Sequence, residues 1–585
     1  MGNFDFDIKL TDWLTFSSVN NYRYNTYANA GYEDPRSNAG MGVVGRLTDF
    51  RFEYARRYTN QILRVNKTWN KHTINGLIAY EFNDYSSKTL DVYGIGIIPG
   101  FEVMDAVTSP ERTRGVRNEW AVQSFLSDVH YSYDNKYMAQ LSFRRDGASN
   151  FGDNAKYGNF FSISGAWNIH YEDWFEADWV NALKVRAAYG SVGNRPSDLY
   201  PQYDLYSVEQ GSGYNGKPGA LISQKGNRDL TWEKTYTTGG GVDATFLNNR
   251  LRTSLDFYIK DTDNVLYEVP VTGTVGITSM WRNIGAMRNT GFELAIGGDI
   301  IQRDDWNWGI DLNVGYNKNK LTQLFETRGS DGIFAVRPVF VGDGSNIAGS
   351  AQRVLDPGLP VDTYYMREWA GVNPENGAPM WYKTETDNEG NEVRTTTSDY
   401  AQATPTALEK AAPDLYGGLS TALKYKQFDL GAVFGYSIGG KIYNYSRQEY
   451  DSDGAYTDRN QMKLMPGWSR WEKPGDNATH PVVKYGNRDN GNKVSSRYLE
   501  DSDFLRLRSL TLGYNINLAQ YNMRNLRIFF TGENLFTITS YSGVDPEVPL
   551  TPVDGRREGG RVTQSAGPSV YPAVRRFMFG LNVSF

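Results

Sequence analysis

The chain has 585 residues with a net charge of −6, 60 Gly, 40 Tyr, 14 Trp and no Cys, and its mean hydropathy is −0.56. It is long for one soluble domain, it has no apolar run of the roughly 18 residues that a helical membrane span needs, and its acidic balance argues against a nucleic-acid partner. Without cysteine there is neither a disulfide framework nor thiol chemistry, and Met1-Gly2-Asn3 opens no basic or apolar leader, so no signal peptide is read there.

Taken in order, the segments alternate with period two, as strands with two different faces do. The first strand runs from about Phe4 to Leu10 and precedes a short turn at Thr11-Asp12. Tyr137, Ala139, Leu141 and Phe143 oppose Met138, Gln140, Ser142 and Arg144, and Leu183, Val185, Ala187 and Tyr189 oppose Lys184, Arg186, Ala188 and Gly190. Leu251, Thr253, Leu255, Phe257 and Ile259 alternate with Arg252, Ser254, Asp256, Tyr258 and Lys260. Trp306, Trp308, Ile310, Leu312, Val314 and Tyr316 oppose Asn307, Gly309, Asp311, Asn313, Gly315 and Asn317. The segment from Phe504 to Tyr514 alternates poorly. The chain closes on Phe577, Phe579, Leu581, Val583 and Phe585 on one face, with Met578, Gly580, Asn582 and Ser584 on the other. Such an ending is the usual assembly signal of an outer-membrane barrel. Charged side chains on the second face of so many strands would ruin a dry sandwich core and suit a wet lumen.

The connections alternate as well. Short turns are read at Asp134-Asn135, Asn248-Asn249, Gln302 to Asp305, Tyr425-Lys426 and Gln520 to Asn522. Long loops rich in Gly, Asn, Asp and Pro fall at about 146–157, 194–230, 262–287, 318–360, 438–502 and 537–572. Short turns at one end and long loops at the other is the organisation of a large antiparallel transmembrane β-barrel in the outer membrane, the all-β fold expected here. About 17 to 19 strands are expected, the uncertain pair being Thr363–Gly371 and Ala378–Lys383. The first and last strands both run toward the short-turn end, so the expected count is odd. Single-chain bacterial barrels have even counts, which implies that N-terminal strands are missing from this stretch.

Site chemistry is sparse. His72, His130, His170 and His480 share no ligand spacing, and no carboxylate pair is marked out. Gly211 to Pro218 resembles a phosphate loop, but Pro218 stands where Ser or Thr is required, and a flexible loop is the better reading. Asp387 to Glu392 and Asp451 to Gly454 are acidic enough for calcium but lack EF-hand spacing, so solvated turns are favoured and no cofactor is expected. Aromatic residues gather in the longest loop: Tyr443, Tyr445, Tyr450 and Tyr456, then Trp468 and Trp471. They suit stacking on a glycan or gripping a peptide, and equally suit packing the loop on itself or on a partner protein.

Several blocks in order resemble the SusC/RagA family of TonB-dependent outer-membrane transporters. They are Arg144-Arg-Asp-Gly-Ala-Ser-Asn-Phe151, Tyr157 to Trp167, Leu183 to Asn194, Trp232 to Thr235, Asn283-Ile-Gly-Ala-Met-Arg-Asn-Thr-Gly-Phe-Glu-Leu294, Trp369 to Pro374, Pro413 to Leu419, Tyr498 to Tyr514 and Gly532 to Glu547. The resemblance implies a plugged barrel of about 22 strands, a SusD-like surface lipoprotein partner, and import of glycan oligosaccharides or peptides energised by the TonB complex. It implies no enzyme activity. No plug domain, carboxypeptidase-like domain or TonB box is recognised, so residues 1–585 are expected to be the C-terminal barrel part, unable to transport alone. The alternatives are a soluble secreted all-β carbohydrate-active enzyme or adhesin, and a passive porin.

Overall fold

The structure, a computed structural model, describes all residues except 209–212, 214–216, 218, 272–275, 278, 329–333, 342–351, 487–488, 518–524, 548–572 and 585. The chain divides into two compact units. The first comprises Met1–Phe175, Val185–Gly239 and Lys260–Gly285, and the second Glu176–Lys184, Gly240–Ile259 and Ala286–Phe585. In the first unit lie β1 (Gly2–Lys9), β2 (Leu14–Glu33), β3 (Arg46–Trp69), β4 (His72–Ile97), β5 (Val107–Tyr133), β6 (Tyr137–Ala148) and β7 (Tyr157–Asn168). Next come β8 (Val180–Asn194), β9 (Glu233–Phe246) and β10 (Leu251–Asp263), whose residues fall in both units. The second unit holds β11 (Ala286–Gln302), β12 (Trp306–Gln323), β13 (Leu415–Tyr425), β14 (Phe428–Ile438), β15 (Phe504–Ile516), β16 (Asn525–Thr539) and β17 (Arg576–Ser584). The large antiparallel sheet thus counts 17 strands among the described residues, the lower end of the expected range.

Within the first unit each of β1 to β7 pairs antiparallel with the next in sequence. The second unit repeats this from β11 to β17. Register is what gives the sheet two chemically different faces. In the second unit Trp308, Leu423, Leu430, Leu512, Phe530 and Phe579 stand opposite one another across six strands. The next row down is Trp306, Tyr425, Phe428, Tyr514, Ile528 and Leu581. The reverse face carries polar ladders: Thr511 and Thr531 hydrogen-bond at 2.9 Å, and Asp429 accepts from Asn515 at 2.8 Å and from Arg527 at 3.0 Å. The first unit obeys the same rule. Val129, Leu141 and Ile163 form an exposed apolar row, whereas on the other face Ser142 bonds Ser162 at 2.6 Å and Gln140 donates to Asp128 at 2.8 Å.

Aromatic rings edge the apolar face where the short turns lie. Trp69 stacks on His72 at 5.4 Å and Tyr137 on Trp167 at 6.3 Å in the first unit. In the second, Trp306 meets Tyr425 at 4.3 Å and Phe428 meets Tyr514 at 4.7 Å. A belt of this kind suits a membrane–water boundary, where one end of each ring is apolar and the other wet. The tight turns are made possible by residues that tolerate positive φ: Asp134 and Asn135 at 52° and 55° close β5 onto β6. Strands β3, β4 and β5 have 24, 26 and 27 residues, far more than the roughly 9–11 needed to cross a bilayer. Their ends away from the short turns carry charge on both faces, as with Arg51, Glu53, Arg56 and Arg57 of β3, and stand beyond the apolar band.

Two irregularities in the sequence pattern now have causes. The poor alternation in β15 is a β-bulge: the register shifts between Leu507 and Ser509, so Arg508 is extra. Leu505 and Leu507 then share a face with Leu510 and Leu512 although their spacing is odd. The uncertain pair lies outside the large sheet. Thr363–Arg367 joins a four-stranded sheet, while Trp369–Val372 and Pro379–Thr386 belong to a three-stranded one. The turn expected at Gln520 to Asn522 and the motif from Gly211 to Pro218 fall largely or wholly outside the described residues.

The face containing Leu423 predicts a depth-dependent response. Leu423→Arg, one row in from the aromatic belt, should cost about 0–1 kcal/mol of folding stability in phospholipid vesicles, and Leu419→Arg, three rows in on the same face, about 2–4 kcal/mol, the range for a cation near mid-bilayer. Thr511→Arg, on the polar face, should cost much less than Leu419→Arg. Denaturant titration in vesicles, read by tryptophan emission, checks the difference; equal costs would contradict the assignment of faces.

Candidate functional site

The second unit has two very long connections, 324–414 and 439–503, and they fold onto each other. The first builds a four-stranded sheet from Val339–Val341, Arg353–Leu355, Thr363–Arg367 and Pro405–Lys410, and a three-stranded one ending in Glu392–Thr397. The second pairs Lys441–Tyr443 with Leu499–Asp501 and carries the helix α1 (Tyr445–Tyr450). The Asn444 side chain caps α1 by accepting from the Arg447 amide at 2.9 Å. Tyr364, Met366 and Ala411 of one connection pack with Tyr443, Val494 and Tyr498 of the other in a common core. Polar contacts pin the two together. The Trp369 amide donates to Ser496 Oγ at 2.8 Å, Tyr400 Oη to the Val494 carbonyl at 2.8 Å, and Trp471 Nε1 to the Pro374 carbonyl at 2.9 Å. The result is a loop platform with its own interior.

Beneath its surface lies an ionic network. Asp451 is fully buried and Asp453 and Arg497 nearly so. Arg497 Nη2 lies 3.1 Å from Asp453 Oδ1 and 3.3 Å from Asp451 Oδ2. Arg470 Nη1 donates to Asp453 at 2.8 Å, and the His480 ring bonds Asp451 at 3.0 Å. Arg447 Nη1 donates to Glu500 at 2.9 Å while its guanidinium covers the Trp468 ring at 4.5 Å. Desolvated charges are tolerable only when each is matched, and here three guanidinium groups surround two carboxylates. Burial pushes the Asp451 carboxyl upward, but the His480 hydrogen bond and the charge of Arg497 outweigh it and hold the group at about 2. The Tyr498 phenol is pushed far above its usual range by burial.

The aromatic residues singled out in the sequence take unequal places. Tyr443 is fully buried in the common core, so a ligand contact through its ring is corrected to a packing role. Tyr445 packs against that core. Trp468 is held between Arg447 and His480. Trp471 fills the space above Gly377, whose φ of +70° and missing Cβ leave room for the indole. Tyr456 lies under the Arg459 guanidinium at 5.0 Å. Tyr450 alone of the six is well exposed. The solvated turn expected at Asp451 to Gly454 is corrected: Asp451 and Asp453 are buried, and their carboxylates face the arginine network instead of solvent. At Asp387 the carboxylate caps its own turn, accepting from the amides of Glu389 and Asn391 at 2.9 and 2.8 Å. Among the described residues no group of three His, Cys, Asp or Glu is arranged for a metal. Sequence reading missed Arg447, Arg470 and Arg497, which come together only through folding and share no spacing. At the C-terminus Phe577, Phe579, Leu581 and Val583 are exposed on the apolar face of β17, and Phe585 lies outside the described residues.

The network sets a pH window. The Asp451 carboxyl is held below its unfolded value of roughly 3.9, so its contribution is fully present above about pH 4 and lost as the pH falls toward 2. Proteolysis should leave 439–503 intact at pH 5 and cut it increasingly between pH 4 and 2. Asp451→Asn should expose it already at pH 7, at a cost of about 3–5 kcal/mol for breaking a buried pair. Hydrogen exchange that stays slow in this segment for the variant would contradict the network's role.

Comparison with known proteins fixes the family. The profile of the family described as TonB dependent receptor-like, beta-barrel matches residues 1–402. TonB-dependent receptor P3 of Formosa agariphila is 28% identical over 564 residues, covering 94% of this chain and 54% of the relative. TonB-dependent receptor SusC of Bacteroides thetaiotaomicron is 28% identical over 504 residues, covering 83% of this chain and 45% of its own length. A structure of the RagAB peptide transporter superposes with a TM-score of 0.83 at 25% identity, covering 100% of this chain and 61% of that one. The chain therefore spans about half the length of the curated relatives it matches. These relatives are receptors and not enzymes, which displaces the soluble enzyme and adhesin readings. With its period-two strands, two-faced sheet and aromatic edge, the chain belongs to the TonB-dependent receptor family of outer-membrane β-barrels.

Proposed function

We propose that this chain is the barrel portion of a SusC-like transporter that carries oligosaccharides or peptides across the outer membrane together with a SusD-like surface lipoprotein, energised through the TonB complex. The observation that carries the reading is the loop platform. Two connections of 91 and 65 residues (324–414 and 439–503) have built a common core and an ionic interior, whereas the intervening turn between β13 and β14 is only Lys426-Gln427. A rigid surface on the long-loop side suits a lasting partner better than a free loop does, because little chain entropy remains to be lost on binding. Tyr450, Val483 and Tyr485 are exposed on it, and aromatic residues are the usual anchors of an interface. The likeness to RagAB, a peptide transporter, and to SusC supports import of such solutes without choosing between the two classes.

A photo-reactive residue at Tyr485 or Tyr450 of the full-length protein should capture the lipoprotein in intact cells, and one at Lys426 should not. Capture confined to Lys426 would overturn the partner assignment. Uptake of the cognate nutrient should vanish when TonB is deleted; uptake that persists would favour a passive pore.

We also propose that the apolar row of β17, Phe577, Phe579, Leu581 and Val583 with Phe585, directs barrel assembly. Deleting 577–585 should abolish surface display of the full-length protein, measured by protease shaving. Normal display would remove the row from that role.

A further inference from the structure

On the polar face of the first unit, register sets three rows of four residues across β2, β3, β4 and β5. The middle row is Arg23, Arg56, Tyr85 and Trp120, with Tyr54 in the row above and Asn83 in the row below. None of these twelve positions is Asp or Glu. The rings form a short track. Tyr54 and Tyr85 lie 5.5 Å apart, and Tyr85 stacks on Trp120 at 5.9 Å with only 14° between planes. Arg195, from the connection after β8, places its guanidinium over Trp120 at 4.7 Å. The connection is fastened beside it, because the Glu119 amide donates to Tyr200 Oη at 2.7 Å.

The two arginines carry the argument. Arg23 and Arg56 stand directly opposite each other on neighbouring strands, a position where like charges destabilise a sheet. Among the described residues their partners are uncharged: Arg23 lies over the Tyr54 ring at 5.7 Å, and Arg56 Nε donates to Asn83 Oδ1 at 3.0 Å. The contrast with the reverse face is direct, since the adjacent Arg57 is paired with Asp84. Two juxtaposed guanidinium groups without a carboxylate match an incoming anion, whose oxygens each accept from a guanidinium. Flat rings beside them match the apolar face of a pyranose.

We propose that this patch binds an anionic oligosaccharide, with sugar rings on Tyr54, Tyr85 and Trp120 and a carboxylate or sulfate between Arg23 and Arg56. The proposal rests on the transporter reading, which brings a solute to the polar face, and it narrows the substrate to an acidic glycan.

The test is calorimetric titration of the full-length protein, purified in detergent from outer membranes. The probes are a galacturonate hexamer and its methyl ester, and a κ-carrageenan hexamer and its desulfated counterpart. At least one acidic probe should bind, and Arg23→Gln with Arg56→Gln should weaken it tenfold or more while leaving its neutral counterpart within twofold. Trp120→Ala should weaken both members of the pair. The probe that binds identifies the anion as carboxylate or sulfate. Neutral probes binding as tightly as acidic ones, no acidic probe binding, or full displacement by hexaglutamate would each overturn the proposal. Heat-modifiable gel migration verifies that each variant is folded. Growth separates the two readings: loss of TonB-dependent uptake in the wild type's own assay would sink the transporter, whereas uptake unchanged in the double arginine variant would sink only the patch.

Discussion

The constraint on which everything else depends is that lipid offers the backbone no hydrogen-bond partner. Each unpaired N–H or C=O in hydrocarbon costs several kcal/mol, so a membrane-crossing segment that is not helical must pair with neighbours along its length. β4 and β5 show how far this goes, with a ladder that runs from His72–Tyr133 to Ile97–Val107 and only one register shift. Once the ladder is continuous, the period of two is enforced strand after strand, and the two faces separate by chemistry. The row from Trp308 to Phe579 is apolar for the same reason that Thr511, Thr531 and Asp429 on the reverse face are polar: one register fixes both.

That constraint relaxes where the strands leave the apolar band, and a different physics takes over. In the loop platform the backbone meets water, and order has to come from side chains. A small aromatic core around Tyr364, Tyr443 and Tyr498 provides part of it. The rest comes from Arg447, Arg470 and Arg497 closing on Asp451, Asp453 and Glu500. Such a network is a weak source of net stability, since desolvation offsets most of the attraction. Its value lies in specificity: a guanidinium that meets two carboxylates from a fixed direction excludes alternative packings that a greasy loop would permit. The platform keeps one defined surface through that exclusion.

How legible this was in the sequence follows the same division. The strands were readable because period two is a local signal, plainest where every other residue faces lipid, as from Trp306 to Tyr316 and from Phe577 to Val583. The β15 bulge hid one strand, since a single extra residue at Arg508 inverts the pattern midway. The loop aromatics were visible as residues and not as contacts. Tyr443 and Tyr450 sit seven positions apart in similar surroundings of sequence, yet one is fully buried and the other exposed. Their fates depend on Tyr364 and Val494, which are distant in sequence. The solvated turn expected at Asp451 to Gly454 failed for the same reason: Asp451 and Asp453 look like surface carboxylates until Arg470 and Arg497 arrive from 17 to 46 residues away.

The polar face of the first unit joins the two regimes. Across β2 to β5 the ladder still dictates which residues are neighbours, but beyond the apolar band the outer face no longer has to be apolar, and Arg57 there takes Asp84 as its partner. A sheet that pairs an arginine with an aspartate on one face and sets two arginines together on the other could have matched charge there as well, because an acidic residue in place of Arg56 would stand directly opposite Arg23. Leaving Arg23 and Arg56 beside Tyr85 and Trp120 therefore costs stability that register did not require. Residual frustration of this kind is expected where a surface is shaped for something other than folding. It lies where a solute passing along the polar face would meet stacked rings and positive charge at once.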